Sequence, residues 1–362
     1  MLNFRSTSNV LGLGFAPRCF CGLKAGFYIV VALFFAGLGN GAQAQGEAPW
    51  RWELLPLPGE LVSVLVDGDE VTRWHYGQNY PRPFLFPLNG PSGVSLTRMG
   101  HPGAPNHDHH RSVWFAHNSV NGFDFWSDLA DTKIRQKHWL AYEDGDDEAV
   151  MAVRLGWYDP EGQELMEQDV VLAVGSSVSG GTLFEIQTVL RPSAGRASVV
   201  LGKTNFGLLA VRVAKSLSVH FGGGQLTDSE GRRSEASIFG KQSRWVDYSG
   251  PVAVKAGDER RWELEGVTYF DHPDNPRYPS YWHVREDGWM GASLCFAEAM
   301  RIEAQTSLVL RYLLHTHPGP YDGEVAGSVH REFQQRRPFV IQKSVRRHRQ
   351  FDVMRRQATD LK

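Results

Sequence analysis

Residues 101–117 hold five of the chain's fourteen histidines, His101, His107, His109, His110 and His117, with Arg111 among them and Asp124 and Trp126 just beyond. Imidazole titrates near ~6.5, so such a set can take and return protons at neutral pH. It can also hold a metal. His107 and His109 are two apart, so on an extended backbone their rings leave one face while His110 leaves the other. A same-face pair with a third ligand such as His272 suits zinc, copper or non-haem iron, although H-x-H alone occurs in many strands that bind nothing. Asp108 joins such a set only if the backbone bends, and Pro102, Gly103 and Pro105 predict bends here. Trp114, Phe123, Phe125 and Trp126 offer flat apolar faces, while Phe115 and Phe125 read as sheet core. His117 reads equally as a core histidine with a backbone partner or as a functional one.

A second polar and aromatic group comes late, as Arg244-Trp245-Val246-Asp247-Tyr248-Ser249-Gly250, Asp271-His272-Pro273-Asp274-Asn275-Pro276-Arg277 and Tyr281-Trp282-His283-Val284-Arg285. Alternation in the last stretch sends Tyr281, His283 and Arg285 to one face of a strand and Trp282 and Val284 to the other. Asp271-His272-Pro273 also reads as a plain turn whose Asp caps local amides.

These residues need strands to position them. Leu61 to Val66 and Glu70 to Trp74 flank Asp67-Gly68-Asp69 as a hairpin, and Ala149 to Tyr158 and Leu165 to Val174 flank Asp159-Pro160-Glu161-Gly162 as another. Further strands are expected at Thr182 to Leu190, Leu217 to Phe221, Arg261 to Phe270, Ser280 to Arg285 and Leu308 to His315. No 3.6-residue period longer than three turns runs between Trp50 and Thr316. The pattern predicts an all-β fold, a large antiparallel sandwich or barrel.

With 362 residues, 42% hydrophobic and 22% charged, the composition is globular, and 38 basic against 40 acidic side chains give no sign of nucleic-acid binding. Arg5, Arg18 and Lys24, the apolar run Ala25 to Leu38 and the small-residue site Ala42-Gln43-Ala44 predict a cleaved secretory signal over residues 1–44. The run is short for a span of ~20 residues, so no membrane span is expected after cleavage. The mature chain then keeps Cys295 alone, holds 35 basic against 40 acidic side chains and folds without disulfides, in the periplasm or the medium. A main domain is expected over 45–330. Residues 331–362 carry ten Lys or Arg against three acids and read as a solvated basic tail or short surface helix, with an anionic partner as the sharper alternative.

Asn106-His107-Asp108-His109-His110-Arg111-Ser112-Val113-Trp114-Phe115-Ala116-His117, Val120-Asn121-Gly122 and Asp124-Phe125-Trp126, with the late motifs above, resemble the exported bacterial proteins of the PmoA family, a domain of unknown function. The likeness runs from about residue 50 to about 325 and excludes the basic tail. That family usually reads Asp-His-Pro-His-His-Arg-Gly, from which Asn106, Asp108 and Ser112 depart. Its namesake is a multi-span methane monooxygenase subunit, which one cleavable apolar stretch does not match. The resemblance implies a β-supersandwich similar to the galactose mutarotase and hexose-processing lyase group, with sugars bound on an open sheet face.

The leading expectation is a carbohydrate isomerase, epimerase or lyase acting on a sugar or uronate. His109 or His110 is general acid and Asp247 or Asp271 the complementary base, with His107 and His272 in the same catalytic set. Arg111 and Arg285 hold a carboxylate or hydroxyl, and Trp126, Trp245 or Trp282 stacks on the ring. His117, Asp124, Asn275 and His283 complete the substrate-binding set. This chemistry requires no cofactor. The rivals are a divalent-metal oxygenase or hydrolase built on His107, His109 and His272, and a non-catalytic glycan-binding module.

Overall fold

Alternating apolar residues become strands throughout the computed structural model, which describes residues 51–101 and 103–357. The expected signal segment, 1–44, lies outside the described residues. In chain order the strands are β1 (Trp52–Leu57), β2 (Leu61–Val66), β3 (Asp69–His75), β4 (Phe84–Leu88), β5 (Val113–His117), β6 (Lys133–Glu143), β7 (Glu148–Tyr158), β8 (Glu164–Ser176), β9 (Thr182–Pro192) and β10 (Ser198–Leu201). They continue as β11 (Gly207–Arg212), β12 (Gln225–Asp228), β13 (Trp245–Ala256), β14 (Glu259–Asp271), β15 (Tyr281–Arg285), β16 (Trp289–Ser293), β17 (Met300–Glu303), β18 (Leu308–Pro318), β19 (Phe339–Lys343) and β20 (Phe351–Arg355).

Two eight-stranded sheets form, ordered β1-β2-β3-β4-β5-β11-β16-β15 and β12-β13-β14-β18-β9-β8-β7-β6. Their facing sides share one core: Val62, Val64, Phe115, Leu209, Trp282 and Met290 from the first meet Met151, Val153, Phe184, Tyr269 and Leu314 from the second. This is the expected all-β fold, a large antiparallel sandwich. The Asp67-Gly68 turn takes left-handed φ of 51° and 89°, the geometry of the expected tight hairpin.

Two expectations fail. Leu217 to Phe221 is not a strand, because Ser218 accepts a hydrogen bond from the Phe221 amide and starts the helical turn Val219–Gly222, which Gly223 ends in the left-handed region at φ 77°. The basic segment is not a solvated tail. It begins inside the helix Gly323–Gln335, which packs Ala326, Val329 and Phe333 on Trp245 and Phe270, and continues as the β19–β20 hairpin, whose Phe339 and Val353 cover Ala152 and Val171. Its arginines meet acids of the second sheet: Arg336 and Arg355 pair with Glu185, Arg355 also with Glu148, and Arg349 with Glu143. Charges spaced to answer buried or strand-borne acids look like a solvated run when only the run itself is read. No helix among the described residues is long and apolar enough to cross a membrane.

Candidate functional site

The outer face of the first sheet has a floor fixed by register. Ala210 on β11 pairs with Trp114 on β5 and with Gly291 on β16, and Gly291 pairs with His283 on β15. One row therefore reads Trp114, Ala210, Gly291, His283: two small residues between an indole and an imidazole. The Trp289 indole lies over the gap, so close that a Cβ on Gly291 would sit 2.9 Å from it. Trp114, Trp126, Ala210 and Trp289 cluster there with Phe206.

Histidines enter from above. His107 ends the 3-10 turn Pro105–His107, and the His110 amide donates to the His107 carbonyl at 3.1 Å, so the segment is a bent loop and not the extended strand that a same-face His107–His109 pair requires. Ser112, at φ 54°, then turns the chain into β5. The bend gathers the rings: His110 stacks on Trp114 at 5.5 Å between centroids and meets His109 at 4.3 Å, Trp126 at 6.1 Å and Trp289 at 6.2 Å edge-on. His283 meets Trp289 at 4.1 Å and Phe206 at 4.9 Å. His110 and His283 are buried, whereas His101, His107 and His109 are half-buried and form the mouth.

Charge is fixed in two places. Arg212, fully buried, donates from Nη1 and Nη2 to Asp287 at 2.8 and 3.1 Å, while His101 Nε2 lies 3.5 Å from the same carboxylate. Burial alone would raise the Asp287 pKa, but the Arg212 bonds outweigh it and hold the carboxyl below its usual range. Arg111 and Arg82 clamp Asp128, which burial would raise and the two guanidinium groups pull down. Burial drives the imidazoles the other way, pushing His109 to about 4 and His283 to about 3, with Arg82 and Arg285 respectively adding to it. Burial also lowers His110, helped by His109 and Arg212. All three rings are therefore neutral at pH 7.

Several buried nitrogens on this face have no hydrogen-bond partner among the described residues: His110 Nδ1, Trp114 Nε1, Trp126 Nε1, His283 Nε2, Arg212 Nε, and Nε and Nη1 of Arg98. Buried polar groups are nearly always paired, by protein or by ordered water, so unmet groups gathered on one face make it the candidate site. Most are obligate donors, which calls for a ligand rich in oxygen acceptors.

The two sequence clusters thus divide. His107, His109, His110, Arg111, Trp126, His283 and Arg285 come together on the first sheet, with Arg285 at the edge, paired to Glu235 and over the Phe239 ring. Asp124 joins as a cap, accepting from the amides of Trp126 and Ser127 at 2.7 and 3.1 Å. The others lie elsewhere. His117 points into the sandwich with Nε2 3.0 Å from the Gly202 carbonyl, and Trp282 is core, its Nε1 donating to the Ser243 carbonyl at 2.8 Å.

Asp247, Trp245, Asp271, His272 and Asn275 belong to the second sheet and its turns. Asp247 is buried, 2.8 Å from His317 Nε2, and accepts from Thr268 and Ser249. Trp245 packs under the long helix and donates to the Tyr321 hydroxyl at 3.0 Å. Asp271 holds the following turn by accepting from the amides of His272 and Ser280 and from Asn275 Nδ2 at 3.1, 2.8 and 2.7 Å, which is the capping reading of that motif. Asn275 is spent on Arg311 and Asp271, and His272 Nε2 faces Arg311 Nη1 at 2.9 Å. Asp247 lies on the outer face of the second sheet, across the core from the early histidines, while Asp271 and His272 sit at the end of β14 with their polar atoms engaged in its turn and by Arg311, so none of them is set beside His107 and His109. Among the described residues, no group of three or more His, Cys, Asp or Glu side chains is placed to hold one metal ion.

Sequence reasoning missed Trp289, Arg212, Asp287, Arg98 and Phe206. Arg212 had a signal, an arginine ending the apolar run Gly207–Arg212, which demands a buried acid. The rest needed the register.

Fold and site together define an antiparallel β-sandwich with a histidine- and indole-lined face on one sheet. Residues 61–331 match the family of unknown function DUF6807, and the chain belongs to that family. This corrects the resemblance to the PmoA family, since a match of short His- and Trp-rich motifs is weaker than one that spans most of the domain. No curated protein matches the chain. Among solved structures it is similar to a GalM/aldose epimerase homologue from C. elegans, with 7% identity, a TM-score of 0.32, and coverage of 74% of this chain and 98% of that one.

Proposed function

We propose that the chain is an exported carbohydrate-active protein whose ligand, a sugar or uronate, binds on the outer face of the first sheet. The observation that carries this reading is the set of unpartnered buried donors on Trp114, Trp126, Arg212 and Arg98, set among indole faces. Sugars offer what that face lacks: hydroxyl and carboxylate oxygens to accept, and an apolar C–H face to stack.

In this reading the proton roles are reversed from those expected. Burial lowers the His110 pKa, which favours a neutral resting ring, and its unpartnered Nδ1 is assigned as the base. In the proposed step His110 takes a proton from a carbon beside a carbonyl or carboxylate, the C–H electron pair becomes an enolate, and Arg212 and Arg98 hold the developing charge. The imidazolium so formed gives the proton to the adjacent, former carbonyl carbon of the enediolate in an isomerisation, as the neighbouring hydroxyl proton passes to the former carbonyl oxygen, or to the leaving oxygen in an elimination. The depressed imidazoles also favour a second reading, a glycan-binding module without turnover, because a ring held near 4 or below is a weak base.

The test is incubation of the full chain with a panel of aldoses, ketoses and uronates in deuterated water. Solvent deuterium at a sugar carbon, or an unsaturated uronate product, is expected from the wild type and not from His110→Gln. Tight binding with the saccharides returned unlabelled and intact would overturn catalysis and leave the binding module.

A further inference from the structure

The mouth of the site leads into a second feature. Phe221 meets His101 edge-on at 5.4 Å and carries Arg98 Cζ at 5.7 Å and Lys215 Nζ at 5.6 Å from its ring centroid. Beyond it opens a cleft of about 700 Å³ lined by Lys215, Ser216, Phe221, Gly222, Pro251 and Trp262. Trp262 is 71% exposed and Phe221 39%. Trp262 stands on the part of the β13–β14 hairpin that runs past the end of β18, whose last pair with β14 is Glu265 with Pro318. Steps of 5.3, 5.7 and 5.4 Å join the rings of His110, His107, His101 and Phe221, so a chain of ring contacts links the histidine floor to the edge of the cleft.

We propose that this cleft is a subsite for further units of an acidic oligosaccharide whose end unit occupies the histidine floor, an inference that rests on the function proposed above. Two exposed aromatic faces lining one cleft suit stacked sugar rings. Lys215, in the cleft lining and over the Phe221 ring, selects uronate carboxylates over neutral sugars. A protein partner fits less well, since specific interfaces cover ~800 Å² on each side and only six residues line this cleft.

The test titrates wild type and Trp262→Ala by calorimetry with uronate oligosaccharides, from single sugars to hexamers, drawn from several uronic acids, with neutral oligosaccharides as controls. Trp262 lies on an exposed arm, and an unchanged thermal midpoint verifies the variant's fold. Wild-type affinity should rise on the order of tenfold, ~1.4 kcal/mol, from monomer to the longer acidic chains. Trp262→Ala should erase that rise while binding the monomer as the wild type does, and Lys215→Ala should reduce the preference for acidic chains. Monomer binding with no gain on lengthening, or a gain that survives Trp262→Ala, overturns the subsite alone. Failure of every saccharide to bind the wild type overturns the proposed function and the subsite with it.

Discussion

Asp287→Asn isolates the charge pair beneath the site. The substitution keeps the shape of the side chain and removes the charge that answers Arg212, which is fully buried and bonded to both carboxylate oxygens. Arginine does not shed its proton, so the guanidinium stays charged in a desolvated place. Breaking a buried pair on one side costs ~3–5 kcal/mol. Asp287 is 30% exposed and water screens that side, so we take the lower end, ~3 kcal/mol. At ~2–4 °C per kcal/mol, the midpoint falls by roughly 6–12 °C. Calorimetry at neutral pH checks this, with Arg212→Met/Asp287→Asn alongside. The double variant should recover most of the loss, because it buries no charge. The pH dependence has a defined sign: the folded pKa of Asp287 is depressed, so its contribution is present above the unfolded value of ~3.9 and is lost as pH falls through the folded one. The gap between wild type and Asp287→Asn should therefore hold through neutral pH and close below ~3.9. A loss under ~1 kcal/mol, or a double variant no more stable than the single, would refute the reasoning.

Three further outcomes follow from the same structure. Burial pushes His109, His117, His272, His315 and His330 to about 4 and His283 to about 3; each binds its proton more readily when unfolded, so stability in urea should drop as pH falls below ~6.5, by up to ~1.4 kcal/mol per unit per fully buried ring. His317 is the exception, since burial would lower it but Asp247 raises it; its pairing stabilises below ~6.5 and fades as pH rises through the raised folded value, so the cost of His317→Asn should shrink in alkali. Asp271→Ala should destabilise by ~2–4 kcal/mol by stranding buried amides, yet leave saccharide affinity unchanged in the folded fraction measured by titration, which separates a turn-holding acid from a catalytic one.

Much of the fold was legible because a two-residue period and turn residues report local geometry. Both hairpins and the strands at Thr182, Arg261, Ser280 and Leu308 appear where alternation places them. Leu217 to Phe221 misled because its apolar residues are short and bounded by Ser218 and three glycines, which close a helical turn instead. The site was half legible. Alternation set His283 and Arg285 on one face of β15, but that this face meets the histidine loop was conjecture, and Asp247 and Asp271 were grouped with it by residue type alone. Which sheet face a strand joins depends on long-range pairing, and no local pattern records that Ala210 stands between Trp114 and Gly291. Nor does a run of arginines show that its partners are Glu148 and Glu185 on strands far back in the chain.

The most direct test observes the side-chain nitrogens of the site themselves. In nitrogen-15-labelled protein titrated with uronates and neutral sugars, the indole N–H signals of Trp114 and Trp126 and the imidazole signals of His110 and His283 should shift together, with those of Trp245 and His317 unmoved. Shifts confined to Trp245 and His317, with the first set unchanged, would place the ligand on the other sheet and contradict the account.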